Sequence, residues 1–201
     1  MYNKLGRAVA ASMVLALAAV PAAGQVSYSD SFSFFKAVKE RDGVKVTELV
    51  SQPGSTVINL RDRGSGEGAL HMVVRGRDVS WLAFLLGKGA RPDLQSSRGD
   101  TPLTLAAQIG WMEGVEQLLA RRASVDLANS RGETALILAA QRRDLPLVRL
   151  LLSRRADPKK TDNVAGMSAL DYAKQDPRAG AVLKLLEAKV APAKPVAGPT
   201  R

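Results

Sequence analysis

Few side chains in this sequence are equipped for chemistry. Its 201 residues include one histidine, His71, and no cysteine, which removes metal–thiolate sites and cysteine nucleophiles from consideration. A histidine works as a general base only beside the group it deprotonates and a partner that orients it. No serine elbow and no Gly-rich phosphate-binding loop accompanies His71. Asp171 and Asp176 are a carboxylate pair in principle, but their helix positions suit a cap or a solvated face better than acid–base work. One histidine with scattered carboxylates gives no recognisable ligand spacing, so neither a metal nor a cofactor is expected, and the chain reads as a non-enzyme.

The elements that would carry any site repeat at a fixed interval. Gly66-Glu67-Gly68-Ala69-Leu70-His71 returns as Gly99-Asp100-Thr101-Pro102-Leu103-Thr104 and as Gly132-Glu133-Thr134-Ala135-Leu136-Ile137, a period of 33 residues. Leu85-Leu86, Leu118-Leu119 and Leu151-Leu152 keep the same spacing, followed by Gly89-Ala90, Arg122-Ala123 and Arg155-Ala156. Such a period marks stacked units that bury their apolar faces against one another. Leu103, Ala106 and Ala107 share one face of a short helix, and Val115, Leu118 and Leu119 share a face of a second. Thr101 before Pro102, and Thr134 after it in register, are helix-start signals. Small alanines on first helices and leucines on second helices make unequal layers, which should curve the stack.

These residues resemble the ankyrin repeat, with its pattern G-x-T-P-L-H-x-A-A, a later G, a leucine pair and G-A. Residues Gly99 to Ala107, with Gly110, Leu118 and Leu119, match closely. The resemblance implies an all-α, curved solenoid of about five stacked helix-turn-helix units. Gly166-Met167-Ser168-Ala169-Leu170-Asp171-Tyr172-Ala173 with Leu185-Leu186 is a further unit carrying one inserted residue. Phe34, Ala37 and Val38, then Val46, Leu49 and Val50, give the first helix pair, with its extra residues in the Ser51 to Ser65 loop. Units are therefore expected near 31–62, 63–95, 96–128, 129–161 and 162–188, within a repeat domain 31–188. End units should be atypical, because each must show one face to water.

Lys4 and Arg7, an apolar run from Ala8 to Val20, and the small residues Ala22-Ala23-Gly24 follow the order of a secretory signal. The run is shorter than the ~20 residues a membrane span needs. Cleavage near Gly24 would leave Gln25 first, then a short linker 25–30. The alanine-rich core looks like a Gram-negative bacterial signal, so a periplasmic or secreted location is expected. Residues 189–201, rich in Pro and Ala, should form a flexible tail.

The formal net charge is +10, two of it from Lys4 and Arg7. Export argues against nucleic acid as partner and leaves acidic proteins, anionic lipid head groups and cell-wall polymers. Repeats turn spacing into ladders, so Lys88, Arg121 and Arg154, at the ends of successive second helices, should form a row. Cations there also meet the negative end of the helix dipole. Arg122 and Arg155 stand where Gly89 and the family pattern place glycine, implying a left-handed backbone. With the row they would form a basic edge able to hold an anionic envelope surface.

Ankyrin stacks generally bind partners through loops and inner helix surfaces, and by register this implies a second ladder. It comprises Glu67 and Arg75, then Arg98, Asp100, Gln108 and Ile109, then Arg131, Glu133, Gln141 and Arg142, and finally Met167 and Lys174. Its mixed charge around Ile109 suits recognition of a protein partner. Trp81 aligns with Gly114 and Leu147 and should pack in the core. Trp111 falls at a turn between helices, where an exposed aromatic would be an anchor. In the family the histidine of T-P-L-H braces neighbouring loops, the role implied for His71. Its equivalents Thr104, Ile137 and Asp171 lack an imidazole, so bracing should weaken toward the C-terminus.

Overall fold

Six helix starts are closed by side chains. Thr101, Thr134 and Ser168 oxygens accept the N–H groups of Thr104, Ile137 and Asp171 at the heads of first helices, while Asp42, Asp78 and Asp144 cap second helices through Lys45, Trp81 and Leu147. The computed structural model, which describes residues 28–190 with side chains from Asp30, contains ten helices, and these caps open six of them. The ten are α1 (Tyr28–Glu40) and α2 (Gly43–Val50), α3 (Ala69–Arg75) and α4 (Val79–Gly87), α5 (Pro102–Gln108) and α6 (Met112–Ala120), α7 (Ala135–Gln141) and α8 (Leu145–Ser153), α9 (Ala169–Gln175) and α10 (Gly180–Val190). No strand occurs among the described residues, and the protein is the all-α repeat solenoid that the spacing implies.

Helices of seven residues do not hold in isolation. Here each is fixed by its neighbours. Leu103, Ala106, Val115, Leu118, Leu136, Ala139, Leu147 and Leu151 have no exposed surface, and a fully buried leucine contributes roughly 1.5 to 3 kcal/mol over an exposed one. First helices α3, α5, α7 and α9 pack more tightly side by side than second helices do, as their alanines permit. That difference curves the stack, with the first helices on the concave side.

The ends differ from the middle. Helix α1 begins at Tyr28, inside the stretch expected to be a linker, and α10 runs to Val190, past the expected domain end at 188. The loop after α2 absorbs its surplus residues in a 3-10 turn, Val57–Asn59, that buries Val57 and Ile58. The proposed signal segment 1–24 and the rest of the tail, 191–201, lie outside the described residues.

Arg122 and Arg155 adopt φ values of +63° and +67°, the left-handed conformation that glycine takes at a helix end with little strain. Arg155→Gly should therefore raise the melting temperature by about 2 to 4 °C, the equivalent of about 1 kcal/mol in a domain of this size. A circular dichroism melt that is unchanged or lower would show that the arginine side chain offsets the strain.

Candidate partner-binding surface

The loops leading into the first helices are pinned to one another through the backbone. The N–H groups of Ser97, Ser130 and Asn163 donate to the carbonyls of Ser65, Arg98 and Arg131, at 3.0, 3.0 and 2.8 Å. Behind the second helices, Asn59, Asp93 and Asp126 side chains accept the N–H groups of Arg91, Ser124 and Asp157 in the following unit. Each loop is thus held at both ends, and little backbone freedom remains to be lost on binding.

The charged ladder along these loops divides into an inner and an outer row. Arg75, Arg98 and Arg131 reach solvent and ion-pair with Glu67, Asp100 and Glu133 at 2.5, 3.2 and 3.4 Å. The carboxylate side chains keep only 17%, 12% and 9% of their exposure. Asn129 Nδ2 donates to both Asp100 and Glu133, at 3.1 and 2.9 Å, joining two units. Asp100 and Glu133, expected to face a partner, are instead internal braces; an arginine and an amide hydrogen bond hold them inward. Hydrogen bonding from Arg75 lowers the Glu67 pKa, outweighing burial. Met167 ends the carboxylate row.

On the inner helix surface, Gln108, Gln141, Arg142 and Lys174 are exposed around a half-buried Ile109. Arg142 donates to the Gln108 carbonyl at 3.1 Å, which fixes its guanidinium beside Ile109. Arg98, Gln108 and Ile109 thus belong to one unit and Arg131, Gln141 and Arg142 to the next, linked by the Arg142 to Gln108 bond, with Arg75 and Lys174 in the units on either side.

Trp111 is not an exposed anchor. It caps α6 and is only 4% exposed, because Gly114 lacks the side chain that would collide with its ring. The register correctly marked a turn, but the indole folds back over the helix it begins. Trp81, expected in the core, is only half-buried against its edge, stacked on Phe84 with ring centres 4.6 Å apart and an indole N–H without a partner.

His71 is fully buried and bridges units. Its Nδ1 accepts the Gly68 N–H at 3.1 Å, and Nε2 lies 2.8 Å from the Asp100 carbonyl of the next loop. With Nδ1 accepting, Nε2 carries the hydrogen and donates. Thr104 serves only its own unit, accepting the Thr101 N–H, and Asp171 likewise accepts from Ser168. Asp176 ends α9 and pairs with Arg143 at 2.7 Å. The two carboxylates weighed for catalysis therefore hold separate structural contacts.

The residues expected to form a basic edge occupy equivalent positions along the stack. Lys88, Arg121 and Arg154 are the C-cap residues of α4, α6 and α8. Lys88 lies over the Phe84 ring, 5.5 Å from its centre. Arg121, Arg122, Arg154 and Arg155 are exposed and ion-pair with no carboxylate among the described residues.

A further set of arginines was not anticipated from the sequence. Arg41, Arg77 and Arg143, left-handed at the turns between paired helices, reach into the next unit: to Asp78 at 2.8 Å, to the Ile109 carbonyl at 2.5 Å, and to Asp176. The dipeptides Arg41-Asp42, Arg77-Asp78 and Arg143-Asp144 were the available signal.

Among the described residues no group of His, Asp or Glu could hold a metal ion, and no helix is long and apolar enough to cross a membrane. A stack of helix pairs that pins its loops and leaves one concave face open is a repeat scaffold for binding. A family model described as Ankyrin repeats (3 copies) matches residues 70–162 and 111–193, together more than half of the chain, which belongs to the ankyrin-repeat family. Repeats of this kind are protein–protein interaction modules, generally without catalysis.

Proposed function

We propose that this protein works in the bacterial periplasm as a non-enzymatic module that grips a partner protein through its loops and concave face. The observation supporting the reading is a pair of adjacent units that expose Arg98, Gln108, Arg131, Gln141 and Arg142 along with a half-buried Ile109, Arg142 being tied to the Gln108 carbonyl. Arginine and buried apolar anchors dominate protein interfaces, and a surface already ordered by inter-unit hydrogen bonds sacrifices little entropy on association. Positive charge should speed encounter with an acidic partner and make the rate fall with salt. The location rests on the order of charged, apolar and small residues from Lys4 to Gly24.

A second reading is supported by the unpaired Arg121, Arg122, Arg154 and Arg155: an envelope-associated factor whose basic edge, with Lys88, holds anionic lipid or cell-wall polymer. One experiment separates the two. After in-situ crosslinking, the tagged protein is recovered by cell fraction and its companions identified by mass spectrometry. A dominant periplasmic protein, captured about tenfold less by an Ile109→Ala, Arg142→Glu variant of unchanged melting temperature, is the expected result. Undiminished capture by the variant would refute the concave-face assignment. Recovery with membranes and without a protein companion would favour the basic edge.

A further inference from the structure

A groove of about 560 Å³ runs along the outer end of the stack, between α1 and the residues that follow the 3-10 turn. One wall is aromatic: Phe32 is 65% exposed, and Phe35 is half-buried behind it. Lys36 and Lys39 project from the same helix face, and Leu60 and Arg61 form the opposite wall. A second hollow of about 250 Å³ shares Phe35 and Lys39 and continues to Met72 on the concave face. With Phe34 of the same helix fully buried, the exposed Phe32 and half-buried Phe35 are an apolar surface without a cover.

We propose that this groove receives an acidic segment of another protein, one that inserts an apolar side chain against Phe32 and Phe35 with Asp or Glu on either side. Lys39 ion-pairs with no carboxylate among the described residues. Lys36 reaches Glu40 only at 3.9 Å, with both side chains more than half exposed, a pair of little strength. The carboxylate lining the groove, Asp62, is committed to its own turn, where one oxygen accepts from the Gly64 and Ser65 N–H groups and the Ser65 hydroxyl. The groove thus presents Lys36, Lys39 and Arg61 around an aromatic wall, outnumbering Asp62, which is hydrogen-bonded to its own turn and attracts Lys39.

Charge selects the occupant. Residues 1–29 contain Lys4 and Arg7 but no Asp or Glu, and residues 191–201 contain Lys194 and Arg201 but no Asp or Glu. Neither end of the chain complements the groove. A second copy, with the same excess of positive charge even without Lys4 and Arg7, is repelled by it. An acidic segment from a different protein is the chemistry that fits.

This inference rests on the proposed role in protein binding and extends it to an end unit absent from the cluster around Ile109. The test uses isotope-labelled protein and three amidated hexapeptides, EEFLEE, KKFLKK and EEGGEE, followed by amide chemical shifts. EEFLEE at roughly millimolar concentration should shift amides of α1 and of Leu60 and Arg61, less so at high salt. Binding should weaken about tenfold in a Lys36→Glu, Lys39→Glu variant and in Phe32→Ser, an exposed position whose change leaves the core intact. Equal shifts with KKFLKK or EEGGEE, or no shift with EEFLEE, would overturn the groove assignment. If EEFLEE fails while the Ile109, Arg142 variant still loses its partner, only this inference falls.

Discussion

Gly99→Ala should lower the melting temperature by roughly 5 to 12 °C, while Gly166→Ala, at the equivalent position one end away, should lower it by only about 2 to 4 °C. Both glycines are left-handed, with φ of +74° and +65°, so both substitutions carry about 1 kcal/mol of backbone strain. Their surroundings differ. A Cβ at Gly99 would stand 2.5 Å from the backbone nitrogen of Ser130, in the loop of the next unit, whereas a Cβ at Gly166 meets nothing within 4 Å. Ser130 cannot retreat without losing the bond that its N–H donates to Arg98. The collision therefore becomes a separation of two units, on the order of 2 to 4 kcal/mol in total. Gly166 leads into α9, the last first helix among the described residues, and no loop of a described following unit stands where its Cβ would go. Circular dichroism melts of the two variants decide the matter, and equal losses would mean that turn strain, rather than contact between units, sets the cost.

His71→Ala is expected to destabilise the protein by about 2 to 4 kcal/mol. It orphans the buried Gly68 N–H, takes from the Asp100 carbonyl one of two hydrogen bonds, the other coming from the Ser96 N–H, and leaves a small cavity. His71→Thr should recover about half of that loss. Thr104 shows how, since at the same position its hydroxyl accepts the N–H of Thr101 but does not reach the next unit. The imidazole also makes stability depend on pH. Burial pushes the His71 pKa below its ordinary value of 6.5, against the opposing pull of the Asp100 carbonyl and of Glu67. Between the folded and unfolded values the unfolded chain binds more protons, so stability is full above 6.5 and declines as pH falls toward the folded value. Protonation would also place a second hydrogen on Nδ1, facing the Gly68 N–H. Urea midpoints measured downward from pH 7.5 should fall for the native protein in this window and stay flatter for His71→Thr. A parallel decline in both would assign the effect to other groups.

The two terminal loops explain where spacing read well and where it read poorly. The 34-residue step to Gly166 correctly signalled an insertion, and the structure places it in the loop: Asp162 closes onto Met167 five residues on, as Asp62 does onto Glu67, whereas Ser96 and Asn129 close after four. Burial would raise the Asp162 pKa, but the Tyr172 hydroxyl and the N–H groups of Ala165, Val164 and Met167 outweigh it and hold the carboxyl low. A leading Asp that caps its own turn was readable only with the loop length in view.

The sequence by itself determined the fold class, the 33-residue unit, the caps at Thr101 and Thr134 and the equivalent positions of Lys88, Arg121 and Arg154, while the bracing role of His71 came from the family resemblance. The former follow from local chemistry or from equal spacing, and a repeat turns equal spacing into equal position in space. Tertiary structure alone decided which members of a ladder face outward. Asp100 and Glu133 look as available as Arg98 and Arg131 in one dimension, yet their short side chains meet Asn129 while the long arginines reach water. Trp111 reads as a turn residue, and only the empty space over Gly114 lets it turn inward. Local spacing fixes where a residue sits along the stack; the volumes of neighbours distant in sequence fix which way its side chain can go.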